Sequence, residues 1–223
     1  MEDCSVLEMD AEIRMLPRRL AGRAVGVLMR AFDDDPILTF YLHNRRRRAV
    51  AYRTFFGEII QSVLPFGHVY GAIGDDRVLG VAVWRPPYSP KPSLANRTRS
   101  ALSEAVVRTL FLRTAGELFR GFAKIEQLHP SASHWYLMFV GVDVGQQGRG
   151  VGSRLLAPVL ELADATRTLC YLETPFPRTH EFYRRLGFEI GSESHPFRGA
   201  PPLWTMIREP RDATDSRAGA APP

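Results

Sequence analysis

The stretch that decides the fold reads His134-Trp135-Tyr136-Leu137-Met138-Phe139-Val140-Gly141-Val142, followed shortly by Gln147-Gly148-Arg149-Gly150-Val151-Gly152. The first part is apolar, β-branched and aromatic, which predicts a strand. Apolar residues then recur at helical spacing from Leu155 to Ala163, which predicts a helix. Glycines in the turn between them permit positive φ and let a ligand approach the backbone. Together with the positive end of the helix, the N–H groups of this turn predict a phosphate or pyrophosphate ligand.

Two common phosphate-binding patterns do not fit this glycine turn. No Gly-Lys-Ser/Thr follows at the spacing of a P-loop, and the glycines at 148, 150 and 152 alternate where a dinucleotide fingerprint needs Gly-x-Gly-x-x-Gly. An ordinary strand-to-helix connection also uses glycine. The turn taken alone therefore leaves a purely structural role open.

The wider pattern resembles a known superfamily. Gln147-x-x-Gly150-x-Gly152, after a strand ending Val142-Asp143-Val144, resembles the acetyl-CoA motif of the GNAT superfamily of N-acetyltransferases. Leu172-Glu173-Thr174 and the segment 182–188 are similar to its late strand and its FYxxxGF motif. The resemblance covers most of residues 10–208 and is closest to puromycin N-acetyltransferase-like members. It implies an α/β fold with a mixed, mostly antiparallel central sheet flanked by helices, and splayed at the parallel strands that bind CoA.

Composition points to an ordinary globular chain. Of 223 residues, 45% are hydrophobic and 24% charged. No run reaches the roughly 18 apolar residues that a membrane span needs, and the acidic start Met1-Glu2-Asp3-Cys4 is unlike a signal peptide. The only cysteines, Cys4 and Cys170, do not make a disulfide framework. We therefore predict a cytoplasmic protein with no membrane partner.

The net charge of +5 raises the question of nucleic acid. The densest basic run, 45–48, is four arginines with no interleaved aromatic residues. A solvated loop and helix start is the favoured interpretation, with no nucleic-acid partner. The acidic run 33–35 precedes Pro36, which is typical of a turn with an N-cap for the next helix. It has no further carboxylates nearby in sequence, so we expect no metal site.

The remaining pattern predicts one acetyltransferase domain over 1–209 and a disordered tail over 210–223. Predicted strands lie at 5–9, 68–73, 77–84, 188–193 and 203–208, and predicted helices at 49–64 and 179–186. Gly74-Asp75-Asp76 predicts a hairpin, and the proline-dense segment 85–92 a loop within the domain. Residues 94–128 predict a helical insertion before the fourth strand. Pro158 predicts a kink in the helix after the glycine turn.

The resemblance also implies the ligand and the site residues. Acetyl-CoA is the expected cosubstrate, bound by Val142, Asp143, Val144, Gln147, Gly148, Arg149, Gly150, Val151 and Gly152. Tyr183 is placed as the general acid toward the leaving thiolate, since a phenol with a pKa near 10 is protonated at neutral pH. An ordinary core tyrosine is the alternative.

The general base is less clear from sequence. Tyr136 stands where histone acetyltransferases carry a glutamate, so this strand has no carboxylate at that position. The absence favours a small-molecule acceptor and a water relay, for which Glu173 and His134 are candidates. Each also fits an ordinary polar position at a strand end.

Two functions from different classes follow. The first is an acetyl-CoA-dependent N-acetyltransferase that acts on the amine of a small molecule, either an antibiotic or a metabolite. The second is a non-catalytic module that binds and senses acyl-CoA. The intact glycine turn together with Tyr183 favours the enzyme. We expect a monomer or a homodimer.

Overall fold

The computed structural model describes residues 11–88 and 94–211. The strand predicted at 5–9, the second half of the loop 85–92 and the tail from residue 212 lie outside these ranges. Nothing structural is therefore concluded about those three predictions.

Within the described residues, seven strands form one sheet in the order β1-β2-β3-β4-β5-β7-β6. The strands are β1 Glu12–Met15, β2 Val69–Gly74, β3 Arg77–Arg85, β4 His134–Val142, β5 Leu169–Thr174, β6 Glu189–Ser194 and β7 Leu203–Arg208. Every neighbouring pair is antiparallel except β4 and β5. The predicted α/β fold with a mixed, mostly antiparallel sheet is confirmed.

Seven α-helices flank the sheet within the described residues. They are α1 Ala21–Ala31, α2 Pro36–Tyr41, α3 Arg45–Val63, α4 Leu94–Leu110, α5 Ala115–Ile125, α6 Val151–Ala165 and α7 His180–Arg185. The helix after the glycine turn continues through Pro158. Helices α4 and α5 form the insertion predicted before the fourth strand. None of these described helices is long and apolar enough to cross a bilayer.

The sheet separates two cores, and this layering positions the site. One core lies between the sheet and helices α1 to α5. The other contains the apolar face of α6 together with Tyr183 of α7. Since side chains alternate along a strand, neighbouring residues of β4 and β5 face opposite cores. Any ligand that passes between these two strands therefore meets both layers.

The parallel pair separates after a short contact. Pairing of β4 with β5 is confined to His134–Tyr136 against Leu169–Tyr171. On its other edge β4 carries a bulge, because Val83 pairs with Phe139 while Trp84 pairs with Leu137. A bulge bends and twists a strand, and this one leaves Met138 unpaired at the point where β4 departs from β5. The predicted splay of the parallel strands is thus present.

The predicted hairpin is also confirmed. Residues Asp75 and Asp76 join β2 to β3 with φ of 48° and 57°. A two-residue turn with positive φ at both positions matches the right-handed twist of paired strands. Short polar residues are the usual way to reach this conformation when glycine is absent.

The prediction that the arginine run 45–48 is solvated is only partly correct. It opens α3, because the Asn44 side chain accepts from the Arg47 N–H at 3.0 Å and caps the helix. Arg48, however, is only 8% exposed. It donates to the Leu42 carbonyl at 3.0 Å and pairs with Asp33 at 3.4 Å. The prediction of a solvated run is therefore wrong for Arg48.

Each of the aspartates before α2 interacts with another group of the protein. Asp35 caps α2 by accepting from the N–H groups of Ile37 and Leu38 at 3.0 and 2.8 Å, as predicted. Asp34 pairs with Arg178 at 2.9 Å across the mouth of the splay. This pair links the α1–α2 turn to the segment after β5.

Candidate active site

The glycine turn has the conformation that its sequence predicts. Gly148 and Gly150 both have φ of 75°, and a Cβ at either would meet nothing within 4 Å. These glycines are therefore required by backbone conformation and face open space. Gly150 is the N-cap of α6 and supplies no side-chain hydrogen bond. The first N–H groups of α6 consequently remain available to an anion.

Gly152 is constrained differently. It lies within the first turn of α6, and a Cβ there would come 3.2 Å from Cζ of Phe182. Phe182 belongs to α7, so this glycine allows α6 and α7 to approach. The motif therefore combines glycines that allow positive φ with a glycine that allows two helices to approach.

The strand end before the turn is fixed by two hydrogen bonds. The Asp143 N–H donates to the Leu79 carbonyl at 2.8 Å, so the N–H and carbonyl of Val142 point the other way, toward the splay. Gln147 Nε2 donates to the Val142 carbonyl at 3.1 Å. The Val142 N–H is thus aimed at the gap that β5 has left.

Asp143 contacts protein with every polar group it has. Its carboxylate accepts from Nε and Nη2 of Arg30 at 2.9 and 2.8 Å, and this pairing keeps its pKa below the ordinary value. Its carbonyl accepts from the Gln146 N–H at 2.8 Å. Asp143 therefore positions the loop. Val144 and Arg149 are exposed residues of the same loop.

The glycine turn opens into a cleft of about 420 Å³ between β4 and β5. Its walls combine residues from the turn, both strands and α7, among them Gly150, Val142, Glu173 and Tyr183. The cleft brings together most of the sequence-predicted site residues, namely Val142, Gln147, Gly148, Gly150, Val151, Gly152, Glu173 and Tyr183. Asp143, Val144 and Arg149 do not line it, and Tyr136 is the last residue of β4 that pairs with β5.

Tyr183 lies on the α6 side of the sheet. It projects from α7, is 8% exposed and belongs to the core that contains Leu172. Its ring packs against Phe182 and Phe188 with centroids 5.0 and 5.9 Å away. Burial raises the pKa of this phenol above its ordinary value. The hydroxyl is therefore protonated at neutral pH and able to donate a proton into the cleft.

Glu173 lies on the opposite side of the sheet. Tyr171 pairs with Tyr136 across the strands, and Glu173, two residues further, shares their face. Its side chain is only 5% exposed. Burial raises the pKa of Glu173 to about 7, while contacts with Tyr136 and Tyr171 act in the opposite direction. A carboxyl group with such a pKa accepts and releases protons near neutral pH.

Tyr136, a candidate catalytic residue from the sequence, lies on the same face of the sheet as Glu173. Burial, and next the neighbouring charge of Glu173, raise the pKa of this phenol well above 10. The Arg85 guanidinium lies over the ring, 4.9 Å from its centroid. Tyr136 is therefore protonated at neutral pH. Its contact with Glu173 brings a carboxyl group of β5 close to the position that lacks one on β4.

Sequence reasoning named His134 but missed the other groups near Glu173. His129, in the loop after α5, has a side chain only 7% exposed, with Nε2 lying 3.4 Å from Oε1 of Glu173. Its Nδ1 lies 2.9 Å from Nε2 of His134. Arg85 of β3 pairs with Glu126 at 3.2 Å beside them. The only sequence signal was two histidines five residues apart at the start of β4, which is weak by itself.

The arrangement is that of a group-transfer site. A turn suited to phosphate lies at the mouth of a splayed strand pair, a protonated phenol lines one side, and a carboxyl group that titrates near neutral pH lines the other. Such a site accepts a proton from an attacking group and donates one to a leaving group.

Comparison with known proteins identifies the family. The model of the Acetyltransferase (GNAT) family matches residues 39–188, more than half of the chain, so the chain belongs to this family of acyltransferases.

Three relatives extend beyond that match. An uncharacterised N-acetyltransferase of Schizosaccharomyces pombe is 25% identical over 217 residues, covering 90% of this chain and 84% of that protein. A Corynebacterium glutamicum structure described as histone acetyltransferase HPA2 and related acetyltransferase has a TM-score of 0.68 and 24% identity, covering 92% and 99% of the two chains. A polyamine N-acetyltransferase of Drosophila melanogaster, which forms N-acetylagmatine, has a TM-score of 0.56 and 17% identity, covering 90% and 100%. At these identities, the two structures establish the fold alone.

Proposed function

We propose that this chain transfers the acetyl group of acetyl-CoA to the amine of a small molecule. The observation that carries the proposal is the placement of Tyr183 and Glu173 on opposite faces of the gap between β4 and β5. An acyl carrier threaded through that gap meets a proton donor on one side and an acceptor on the other. The chemistry of aminolysis needs both.

The glycine turn fits the pyrophosphate of acetyl-CoA. Free N–H groups at the start of α6 and open space beside Gly148 and Gly150 offer donors without obstruction. The Val142 N–H, which points into the splay, suits the amide groups of the pantetheine arm. When bound, acetyl-CoA supplies a thioester whose carbonyl carbon is open to attack by an amine.

Glu173 is proposed as the general base. Most amines are ammonium ions at neutral pH and must lose a proton before attack. A carboxylate with a pKa of about 7 accepts that proton, either directly or through one water. On the other face the Tyr183 hydroxyl donates to the departing sulfur. The Tyr136 hydroxyl keeps the carboxylate oriented toward the gap.

The proposed acceptor is a small amine with an apolar body. Phe32 and Phe139 line the cleft and contact each other edge to face, with centroids 5.5 Å apart. Behind them Phe55 stacks on Phe122 of the insertion at 5.9 Å. Such a wall buries apolar surface and offers aromatic faces to a cation. Acceptor identity beyond this class, including the closer resemblance to puromycin-type members, stays a prediction.

Acetyl-CoA turnover against a panel of amines tests this function. The panel comprises phenethylamine, agmatine, puromycin and a lysine-containing peptide, with free thiol as the readout. We expect release of CoA with at least one small amine and little with the peptide. A reaction without protein serves as the blank for spontaneous aminolysis, and mass spectrometry of the product locates the acetyl group.

A parallel thermal unfolding series separates enzyme from sensor. Acetyl-CoA is expected to raise Tm in a concentration-dependent way, because it binds only the native state. A rise in Tm without turnover of any amine would support the acyl-CoA-sensing alternative. No rise at millimolar acetyl-CoA, with a folded protein shown by circular dichroism, would contradict both functions.

A further inference from the structure

A row of polar atoms leads from Glu173 to the rim of the protein. Oε1 of Glu173 lies 3.4 Å from Nε2 of His129, and Nδ1 of His129 lies 2.9 Å from Nε2 of His134. Nδ1 of His134 in turn lies 2.8 Å from the Ala132 carbonyl. His134 is partly exposed, whereas the side chains of His129 and Glu173 are buried. The row therefore joins a buried carboxyl group to solvent.

Hydrogen-bond roles along the row are fixed from its outer end. The Ala132 carbonyl only accepts, so Nδ1 of His134 carries a proton. If His134 is neutral, its Nε2 accepts from Nδ1–H of His129. Nε2 of His129 then carries no proton and faces Glu173. A hydrogen bond between these two residues requires that the carboxyl group of Glu173 is protonated.

A second arrangement contains the same number of protons. Glu173 is ionised, Nε2–H of His129 points at it, and His134 carries a proton on each ring nitrogen. His129 Nδ1 then accepts from His134 and from Nη2 of Arg85, 3.5 Å away. Passing from the first arrangement to the second moves one proton from Glu173 to His134 through a change of tautomer at His129, and leaves a carboxylate and an imidazolium.

We propose that His129 and His134 form a proton relay that carries the proton taken up by Glu173 to solvent. The proposal rests on the acetyl transfer inferred above. In that reaction an ammonium nitrogen ends as an amide N–H and so loses two protons. The carbon–nitrogen bond forms, the carbon–sulfur bond breaks, one proton ends on the CoA sulfur, and the other must leave the buried base.

The surroundings keep His129 neutral between transfers. Burial lowers the pKa of His129 to about 4, and the charges of Arg85 and His134 act in the same direction, whereas Glu126 acts against them. A tilted contact with Tyr171 and an edge contact with Tyr136, with centroids 4.7 and 4.5 Å away, hold the ring in place. A neutral, fixed imidazole transmits a proton and does not retain it. Nε2 of His129 and Oε1 of Glu173 are both buried without a hydrogen-bond partner among the described residues, so their 3.4 Å contact must shorten and align before a proton passes, as catalytic hydrogen bonds do when substrate binds.

Nitrogen NMR of the full chain labelled at histidine tests proton sharing without any acceptor. At pH 6, where Glu173 holds its proton, we expect the His129 nitrogens to average between the Nδ1–H and Nε2–H tautomers, because the two arrangements contain the same three protons. In Glu173→Gln, which has no proton to give, His129 should show the Nδ1–H tautomer alone. A His129 spectrum that is the same in both proteins overturns the relay.

Kinetics test delivery of the proton to solvent. With acetyl-CoA and phenethylamine, or whichever amine of the panel reacts fastest, His129→Gln and His134→Ala should each lower kcat about tenfold, with KM for acetyl-CoA unchanged. Imidazole in the buffer should restore His134→Ala in proportion to its concentration. The exposed His43 provides the matched control, since His43→Gln should behave as wild type and ignore imidazole.

The outcomes separate the relay from the proposed function. Wild-type turnover that depends on Glu173, with normal kcat in both relay variants and no effect of imidazole, leaves the enzyme intact and contradicts the relay. Absence of turnover in the wild type contradicts the function itself. The tautomer measurement still decides whether His129 and Glu173 share a proton.

Discussion

The two faces of the gap between β4 and β5 acquire their functional groups in different ways. On the α6 and α7 face, the glycine turn and Tyr183 belong to segments whose pattern is visible along the chain. On the other face, Glu173 contacts His129 from a loop. The charges of Glu126, at the end of α5, and Arg85, on a distant strand, act on the pKa of Glu173. Local motifs specify the first face, and tertiary packing assembles the second.

The sharpest test of this comparison removes the base of the assembled face. Glu173→Gln keeps the size of the side chain and removes its ability to accept a proton. We expect kcat to fall about 10³-fold, within the range for general base catalysis, while the affinity for acetyl-CoA is kept. Steady-state kinetics and thermal shifts measure the two effects. Near-normal kcat would assign the base to a group outside this cluster.

The matching test on the motif face changes the glycine turn. Gly150→Val forces a β-branched residue into φ of 75°, a strained conformation for any L side chain, and closes the space beside the turn. We expect acetyl-CoA affinity to fall at least 100-fold, measured by calorimetry. Gly22→Val is the control, since a Cβ at Gly22 in α1 also meets nothing within 4 Å but needs no positive φ. Equal binding by both variants would contradict the phosphate cradle.

The difference between the faces also explains what the sequence could predict. The hairpin at Asp75 and the open turn at Gly150 were predictable because each depends on local backbone conformation. Strand β1 was not predicted, since Glu12–Met15 is short, polar and shows no clear alternation of burial. Its place in the sheet comes from pairing with β2.

The Glu173 cluster was hidden for a related reason. The register of β4 against β5 places Tyr136 opposite Tyr171, and the loop after α5 then brings His129 onto the same face. No spacing rule along the chain encodes that meeting. Sequence reasoning therefore named Glu173 and His134 as candidates but found neither their connection nor His129.

Tyr183→Phe probes the motif face without disturbing its packing. The ring contacts with Phe182 and Phe188 remain, and only the hydroxyl is lost. We expect kcat to fall by roughly two orders of magnitude with acetyl-CoA affinity unchanged. Turnover within a factor of two of wild type would show that water protonates the thiolate and that Tyr183 is a core residue.

The pH dependence of activity and that of stability both report on Glu173. Activity requires ionised Glu173, whose pKa is about 7, so kcat should rise about tenfold from pH 6 to 8. Stability should move the other way. Burial raises the pKa of this group from 4.5 in the unfolded chain, so its contribution is complete below pH 4.5 and is lost as pH rises through about 7. Chemical denaturation at pH 5 and pH 8 should show a larger loss in wild type than in Glu173→Gln, in which Asp35, whose pKa burial also raises to about 6, still titrates.

The smallest expected effect concerns the contact that anchors the glycine loop. Arg30 of α1 makes two hydrogen bonds to Asp143, but its side chain is 54% exposed. Exposed pairs contribute only about 0.2–1 kcal/mol, so Arg30→Ala should lower Tm by a few degrees at most. Because Asp143 fixes the direction of the Val142 N–H, we expect the affinity for acetyl-CoA to fall several-fold, without a change in the pH profile that Glu173 sets. Arg108→Ala removes a comparably exposed pair, with Glu104 in α4, a helix that contributes no residue to the cleft, and should leave affinity unchanged. If both variants bind acetyl-CoA equally, the pair of Arg30 and Asp143 does not influence the cleft, and the glycine turn by itself determines the geometry of that face.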